Sequence, residues 1–256
     1  VLHVNGGRWG QQQIISESWV ESATAAQVPS GEYGYQWWVQ ADADAYFAAG
    51  AFGQFSIVFP RHDAVLAITA GVQSGEELRQ IVWQYFTAAF DSSASATQTD
   101  QSALVDRLDH LRLLPEARHT TSKTVSTVSG NTYVIDDNDD GVASVRLDFS
   151  DDEMTFRQTD HRGEHSVRVG LREWIESETG ITGNKLHHQY QSDDMKVVAH
   201  GRWWDDRTFE MTWQFVETAW VDVVVCRFYA DRISVDRRTN ANYAPRVAST
   251  LRGRAG

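Results

Sequence analysis

The chain has 256 residues, 41% of them hydrophobic and ten of them Trp, so it can bury the cores of one large or two ordinary domains. Its 35 acidic and 23 basic residues give a formal net charge of −12, which argues against nucleic acid or an anionic membrane as partner. Cys226 is the only cysteine, which excludes internal disulfides and cysteine-based zinc sites. No apolar run approaches the roughly 20 residues that a membrane-spanning helix needs.

The first ninety residues show both helical and strand patterns. Ser16 is a good N-cap for the helix that follows it. Runs of apolar and β-branched residues predict strands over 35–39, 55–59 and 64–69. A helix is predicted over 76–90, because apolar residues recur there at three-and-four spacing and predict one face packed on the sheet. The residues of that face are Leu78, Ile81, Val82, Tyr85 and Phe86.

A change of composition separates this region from the rest of the chain. Residues 91–102 are rich in Ser, Thr and Ala and have no apolar periodicity, which is typical of a linker. A short amphipathic helix is predicted over 104–114 and ends at Pro115. The predicted organisation is therefore a domain, a linker with a short helix, and a second domain, with bounds 1–90, 91–115 and 116–256.

The second domain has the period-two pattern of β-strands. Apolar and polar residues alternate along 145–149, 166–169 and 209–215, so each of these strands has one solvated face. Turn residues between such strands predict an antiparallel meander or a small β-barrel. The predicted fold class is therefore α+β, with an antiparallel sheet and flanking helices followed by an antiparallel barrel or meander.

Three neighbouring motifs carry a resemblance to a known family. Gly-Tyr-Gln-Trp-Trp at 34–38, the glycine-containing segment 46–55 and Ser-Ile-Val-Phe-Pro at 56–60 resemble the closing sheet strands of class C β-lactamase-like serine hydrolases. That family includes esterases, D-amino peptidases and nylon-oligomer amidases. The resemblance implies that residues 1–90 are the carboxyl-terminal part of such a domain. Since the chain begins at Val1 without an initiator Met, we expect it to be a piece of a larger enzyme.

The resemblance also implies site residues. In this family a backbone amide of a strand beside the nucleophile helps to form the oxyanion hole, which stabilises the negative charge of the tetrahedral intermediate. The matching position here is the segment 48–54. The resemblance implies that the Ala51 amide is the donor, that Gly50 leaves room for the substrate, and that Gln54 helps to fix the strand end.

One departure from the family pattern narrows the expected substrate. The family's Lys-Thr-Gly is missing, since Lys123-Thr124 lies beyond the linker and is followed by Val125. A lysine at that position would bind the carboxylate of a penicillin, so its absence favours small ester or amide substrates. Four aromatic residues are candidates to line an apolar acyl pocket, with packing in the core as the alternative. They are Trp37, Trp38, Tyr46 and Phe47.

The chain lacks the family's nucleophile. An activated serine needs a base within reach, which in this family is a lysine one helical turn later. The residues three before the three lysines are Thr120, Thr182 and Asp193, so no Ser-x-x-Lys exists. The segment 129–131 has the form Ser-x-Asn but falls after the linker, where a turn explains it better. We therefore expect the chain alone to be inert as a serine hydrolase, and no cofactor is implied.

Three groups of candidate metal ligands fail on geometry or spacing. His187 and His188 would point to opposite faces of a strand. The segment 160–165 holds His161 and His165 with two acidic residues at a turn, where separate surface histidines are the simpler interpretation. The acidic segment 136–141 partly matches a calcium loop, but its twelfth position is a leucine, so a solvated hairpin is favoured. No metal site is predicted.

The second domain supports a different hypothesis. Segments 171–174, 183–188 and 211–218 resemble a β-rich domain attached after some of these hydrolases, which supplies no mechanism. The alternative function is therefore a non-catalytic β-barrel that binds a ligand or a partner, beside a degenerate hydrolase remnant. The candidates for a functional surface there, with packing as the alternative, are Lys185, His187, Arg202, Trp203 and Trp204.

Overall fold

The computed structural model describes residues 2–90, 97–111, 119–190 and 192–256. The chain divides into two compact units between Ala103 and Leu104. Among the helices in the described ranges, none has the length and apolar character needed to cross a bilayer.

The first unit is built on a four-stranded antiparallel sheet in the order β3-β4-β5-β6, next to a separate two-stranded ribbon, β1-β2. The N-cap prediction is confirmed, because the Ser16 hydroxyl accepts a hydrogen bond from the Trp19 amide at 3.2 Å. The strands are β1 Arg8–Trp9, β2 Gln12–Gln13, β3 Trp38–Gln40, β4 Ala45–Gly50, β5 Gln54–Phe59 and β6 Ala64–Ile68, and the helices are α1 Glu17–Thr24, α2 Gly75–Val82 and α3 Ala88–Phe90.

The predicted helix over 76–90 forms, but it turns a different face to the sheet. A π-helical turn over Trp83–Thr87 joins α2 to α3. The Trp83 ring packs against Phe47 at 6.0 Å and against Phe59 at 5.9 Å, which rotates the buried face towards Val82 and Trp83. Two residues of the predicted face, Ile81 and Tyr85, are instead 54% and 63% exposed. The core of this unit consists of Ala45, Phe47, Phe55, Ile57, Phe59 and Val82.

Helix α4 spans Gln98–Asp109 and begins inside the predicted linker. The cause is a reciprocal cap: the Asp100 amide donates to the Thr97 hydroxyl at 3.1 Å, and the Thr97 amide donates to the Asp100 carboxylate at 2.9 Å. The remainder of the predicted linker, 91–96, and the predicted helix stop at Pro115 lie outside the described residues.

The second unit contains a closed nine-stranded barrel, in the order β10-β9-β8-β7-β16-β15-β14-β13-β12. Neighbouring strands are antiparallel except where β10 meets β12 in parallel, through the pair Gly170 and His200. The predicted barrel is confirmed, with this mixed closure as a correction to the antiparallel prediction. Strand β11 pairs with the first half of β12. The elements are α5 Val125–Val128, β7 Thr132–Ile135, β8 Ser144–Phe149, β9 Glu153–Asp160, β10 Gly163–Gly170, β11 Ile175–Thr179, a 3₁₀ helix Asn184–His187, β12 Met195–Asp205, β13 Thr208–Phe215, β14 Val221–Tyr229, β15 Arg232–Thr239 and β16 Leu251–Ala255.

The inward faces of the strands fill one end of the barrel with aromatic rings. Trp203 is fully buried there and contacts Phe149, Phe209 and Phe228 with ring centroids 5.1 to 5.8 Å apart. Trp213 lies four residues further along β13 than Phe209, towards the opposite end of the barrel. That opposite end is not filled, and a cavity lies there.

Candidate functional site

The hairpin to which the family resemblance assigns the oxyanion-stabilising backbone amide connects β4 to β5. Gly50 pairs with Gln54 across a three-residue turn, in which Phe52 and Gly53 have positive φ values of 62° and 91°. Gly50 and Ala51 are exposed, whereas Gly53 is buried against Val72. The turn therefore presents the backbone of Gly50 and Ala51 at the surface of the unit.

The Gln54 side chain holds the tip of this hairpin against the segment that follows β6. Its amide nitrogen donates to the Ala70 carbonyl and, at 3.3 Å, to the Ala51 carbonyl, and its oxygen accepts from the Ala70 amide at 3.3 Å. The Val72 amide also donates to the Phe52 carbonyl at 3.0 Å. These bonds fix the position of the exposed backbone.

The four candidate pocket aromatics form two pairs on opposite faces of the sheet. Tyr46 and Phe47 are successive residues of β4, so their side chains point to opposite sides. Phe47 stacks with Trp38 at 6.4 Å, and Tyr46 contacts Trp37 at 5.1 Å. Burial raises the pKa of Tyr46 to about 12, so its phenol is neutral at physiological pH. The structure does not bring all four rings into one pocket.

A cavity of about 550 Å³ lies at the open end of the barrel, within the range typical of small-molecule sites. Its rim carries Asp139, Asp140, Lys185 and His188. Its floor consists of buried apolar and aromatic side chains that strands β9 and β13 to β16 and the turn before β8 contribute. They are Val142, Phe156, Trp213, Val224, Val235 and Leu251.

A buried ionic cluster lies beside the cavity. Asp222 is fully buried and accepts hydrogen bonds from His187 Nε2 at 2.9 Å and from Arg237 Nε at 2.6 Å. Arg237 also donates to the Thr182 carbonyl at 2.7 Å, and its guanidinium lies 5.2 Å from the centre of the Trp213 ring. Burial acts to raise the pKa of Asp222, but the Arg237 charge and the His187 hydrogen bond outweigh it and lower that pKa.

His187 is neutral in this cluster. Burial lowers the pKa of His187, and the positive charge of Arg237 lowers it further, so that together they outweigh the opposite effect of Asp222. The ring is stacked on Trp220 at 4.5 Å, with 2° between the planes. Gly183 allows this placement, since a Cβ there would lie 2.0 Å from His187 Cγ.

A second ion pair lies in the cavity wall. Arg162 donates to the Asp160 carboxylate at 2.8 Å, and His165 Nε2 is 3.4 Å from the same carboxylate. Burial acts to raise the pKa of Asp160, but the hydrogen bonds and charge of Arg162 outweigh it and lower that pKa. Both buried carboxylates near the cavity are thus ionised and paired.

The structure separates the candidate residues of the second domain. Lys185 is exposed at the cavity rim, and His187 is buried beside the cavity. Trp203 is a core residue of the opposite end. Arg202 donates to Glu210 at 2.7 Å and lies 4.9 Å from the centre of the Trp204 ring, on the same strand as Trp203.

Two local expectations about the metal candidates have clear outcomes. His187 ends a 3₁₀ helix and His188 follows it with φ 53°, so the argument that the two side chains would point to opposite faces on a strand does not apply. The acidic segment 136–141 is a turn between paired strands β7 and β8, as predicted, and Asn138 caps it by accepting from the Val142 amide at 3.1 Å. Within the described ranges, no group of three His, Cys, Asp or Glu side chains is placed to hold a metal ion.

Of the buried cluster, only His187 was a candidate from the sequence, and Asp222, Arg237 and the cavity floor were not predicted. A signal was present, because Asp222 and Arg237 occupy inward positions of β14 and β15, where period-two alternation requires apolar residues. Charged residues at inward positions need partners of opposite charge, so the sequence indicates either that these two residues pair with each other or that they bind a ligand.

No protein-family model matches the chain, and no curated protein matches it, so these two comparisons assign it to no family.

Proposed function

We propose that the first unit is the carboxyl-terminal part of a β-lactamase-like serine hydrolase domain that cleaves a small ester or amide. The observation that carries the proposal is the hairpin, because its tip exposes the Gly50 and Ala51 backbone while Gln54 fixes its position. A preorganised backbone donor of this kind is what stabilises a developing oxyanion. The motif resemblance over 34–60 supplies the family.

In the proposed reaction, a serine of the larger protein attacks the substrate carbonyl, and a lysine and a tyrosine of that protein transfer the protons. The carbonyl oxygen becomes negatively charged and accepts a hydrogen bond from the Ala51 amide. Collapse of the intermediate expels the alcohol or amine and leaves an acyl-enzyme, which water then hydrolyses. Gly50 contributes by having no side chain between the strand and the substrate.

The test uses the larger protein that contains this chain, with p-nitrophenyl butyrate as substrate. Ala51→Pro removes the backbone N–H, and we expect kcat to fall by roughly 10²- to 10³-fold. Ala51→Gly keeps the N–H and serves as the matched control with nearly unchanged kcat. Equal activity of the two variants would contradict the oxyanion role.

Labelling with a fluorophosphonate tests the hydrolase assignment itself. We expect the larger protein to gain the mass of one adduct and the 256-residue chain alone to gain none. An adduct on the chain alone, or no adduct on either, would reject the proposal.

A second function is favoured by the cavity in the barrel: we propose that the second unit binds a small molecule there. Its test is native mass spectrometry of the gently purified chain. We expect a bound molecule that is absent from Val224→Trp, whose larger side chain would fill part of the cavity.

A further inference from the structure

The floor of the barrel cavity, which is the buried apolar part of its lining, favours a ligand with a large apolar part. All six of its side chains are apolar or aromatic and buried, as given above. A molecule that reaches this floor gains free energy by removing its own apolar surface from water. The occupant is therefore largely apolar.

The charges near the floor are already matched. Arg237 is paired with Asp222 at 2.6 Å, and Arg162 is paired with Asp160 at 2.8 Å. A ligand that carried a charge to this depth would lose its hydration without gaining a free counter-charge. Lys185, Asp139 and Asp140 stand at the rim, where solvent reaches them and screens their charges. The occupant is therefore neutral.

One polar group in the floor lacks a partner. The indole N–H of Trp213 is buried and has no hydrogen-bond acceptor within the described part of the chain. Arg237 Nη2 also belongs to a cavity-lining residue and has no hydrogen-bond partner, but it lies 2.6 Å from the Asp222 carboxylate as an ion pair. Trp203 and Trp220 share the lack of an acceptor but do not line the cavity. A buried donor without an acceptor is unfavourable, so an acceptor that the ligand brings would satisfy it.

We infer that the barrel cavity binds a neutral, largely apolar small molecule whose carbonyl oxygen accepts a hydrogen bond from the Trp213 indole. This inference rests on the second proposed function, that the barrel binds a small molecule, and adds the class of ligand. Uncharged esters, amides and ketones meet the three requirements.

The experiment uses the full chain and the fluorescent ketone 6-propionyl-2-dimethylaminonaphthalene, which is neutral and whose emission shifts to the blue in an apolar site. We expect a saturable blue shift that the Val224→Trp variant abolishes. Four naphthalenes that differ in one substituent then compete for the probe: the 2-carboxamide, the 2-carboxylate, the 2-aminomethyl cation and the 2-ethyl hydrocarbon.

We expect the carboxamide to bind about fivefold more tightly than the hydrocarbon. The carboxylate and the aminomethyl cation should both bind more weakly than the hydrocarbon. Trp213→Phe keeps an aromatic ring but removes the N–H, so it should weaken the carboxamide about fivefold and leave the hydrocarbon unchanged. Near-ultraviolet circular dichroism checks that the variant is folded. If it is not, the order of competitors on the unaltered chain still decides the inference.

Each result that would contradict the inference leads to a different conclusion. Strongest competition by the carboxylate or by the ammonium would reject a neutral ligand but leave the proposed binding function standing. Equal affinity of the carboxamide and the hydrocarbon would reject the Trp213 hydrogen bond. A shift that persists in Val224→Trp would place the probe elsewhere and reject the inference. If the probe shows no blue shift and native mass spectrometry detects none of the four naphthalenes on the chain, the binding function is rejected as well.

Discussion

At the residue scale, the cluster around Asp222 holds charged groups out of water, which is energetically unfavourable. It is stable only because those groups are paired in a specific arrangement. An ion pair removed from water gains little net free energy, but loss of one partner leaves the other charge uncompensated. Here Asp222 accepts one hydrogen bond from His187 and one from Arg237, which come from a 3₁₀ helix and from β15. The cluster therefore fixes the 184–187 segment to the barrel wall.

We predict that Asp222→Asn lowers the free energy of unfolding by about 3 kcal/mol or more, because it leaves the Arg237 guanidinium buried without a counter-charge. The matched control is Glu217→Gln, which breaks the exposed pair with Lys196 and should cost far less, because solvent screens that pair. Urea unfolding of the three proteins measures both effects. Similar losses in the two variants would show that burial of the pair is irrelevant.

Stability should also fall as the pH is lowered from about 7 to 5. Burial lowers the folded-state pKa of His187, and of His200, below the ordinary histidine value of 6.5, so the unfolded chain binds more protons over this interval. The contribution is thus present above the unfolded pKa and lost as the pH falls towards the folded pKa. The free energy of unfolding, measured in urea, should change less steeply with pH in the His187→Gln variant than in the His161→Gln variant, in which an exposed histidine is replaced. A slope that His187→Gln leaves unchanged would contradict this assignment.

At the element scale, the turn between β4 and β5 depends on its glycine. Gly53 has φ +91°, and a Cβ there would lie 2.7 Å from Val72 Cγ2. A side chain at this position meets both backbone strain and a steric contact. Gly31 has φ +76°, and a Cβ there would have nothing within 4 Å. A substitution at Gly31 therefore measures the cost of backbone strain alone.

We predict that Gly53→Ala destabilises the chain by about 2 kcal/mol or more, whereas Gly31→Ala costs only about 1 kcal/mol. The difference between the two variants measures the contact with Val72. Differential urea unfolding, followed by the signals of the first unit, gives both values. Equal costs would show that the hairpin tip yields to accommodate the extra methyl group.

The elements also show what sequence patterns can and cannot predict. Period-two alternation predicted the strands β8, β10 and β13, because each has one buried and one solvated face. The buried face of the helix after β6 was predicted wrongly, since its orientation depends on how Trp83 fits between two rings brought in from other strands. The cavity was missed for the same reason, because its six floor residues come from widely separated positions. Local sequence patterns cannot show which residues distant in the chain come into contact.

At the scale of the whole molecule, the barrel has a core of its own. All the buried residues of its hydrophobic cluster lie between Val128 and Leu251, within the second unit. We predict that a protein of residues 119–256 unfolds in urea in one cooperative transition and keeps the near-ultraviolet circular dichroism of its buried aromatics. A gradual transition without that signal would show that the barrel needs the first unit.

The order of strands around the barrel has a consequence for synthesis on the ribosome. Strand β16, the last in sequence, lies between β7, the first strand of the ring, and β15. Until residue 255 has left the exit tunnel, β7 and β15 each have one unpaired edge, and the ring stays open. A stalled or shortened nascent chain would thus expose two edges able to pair with other chains, and those edges are natural targets for chaperones.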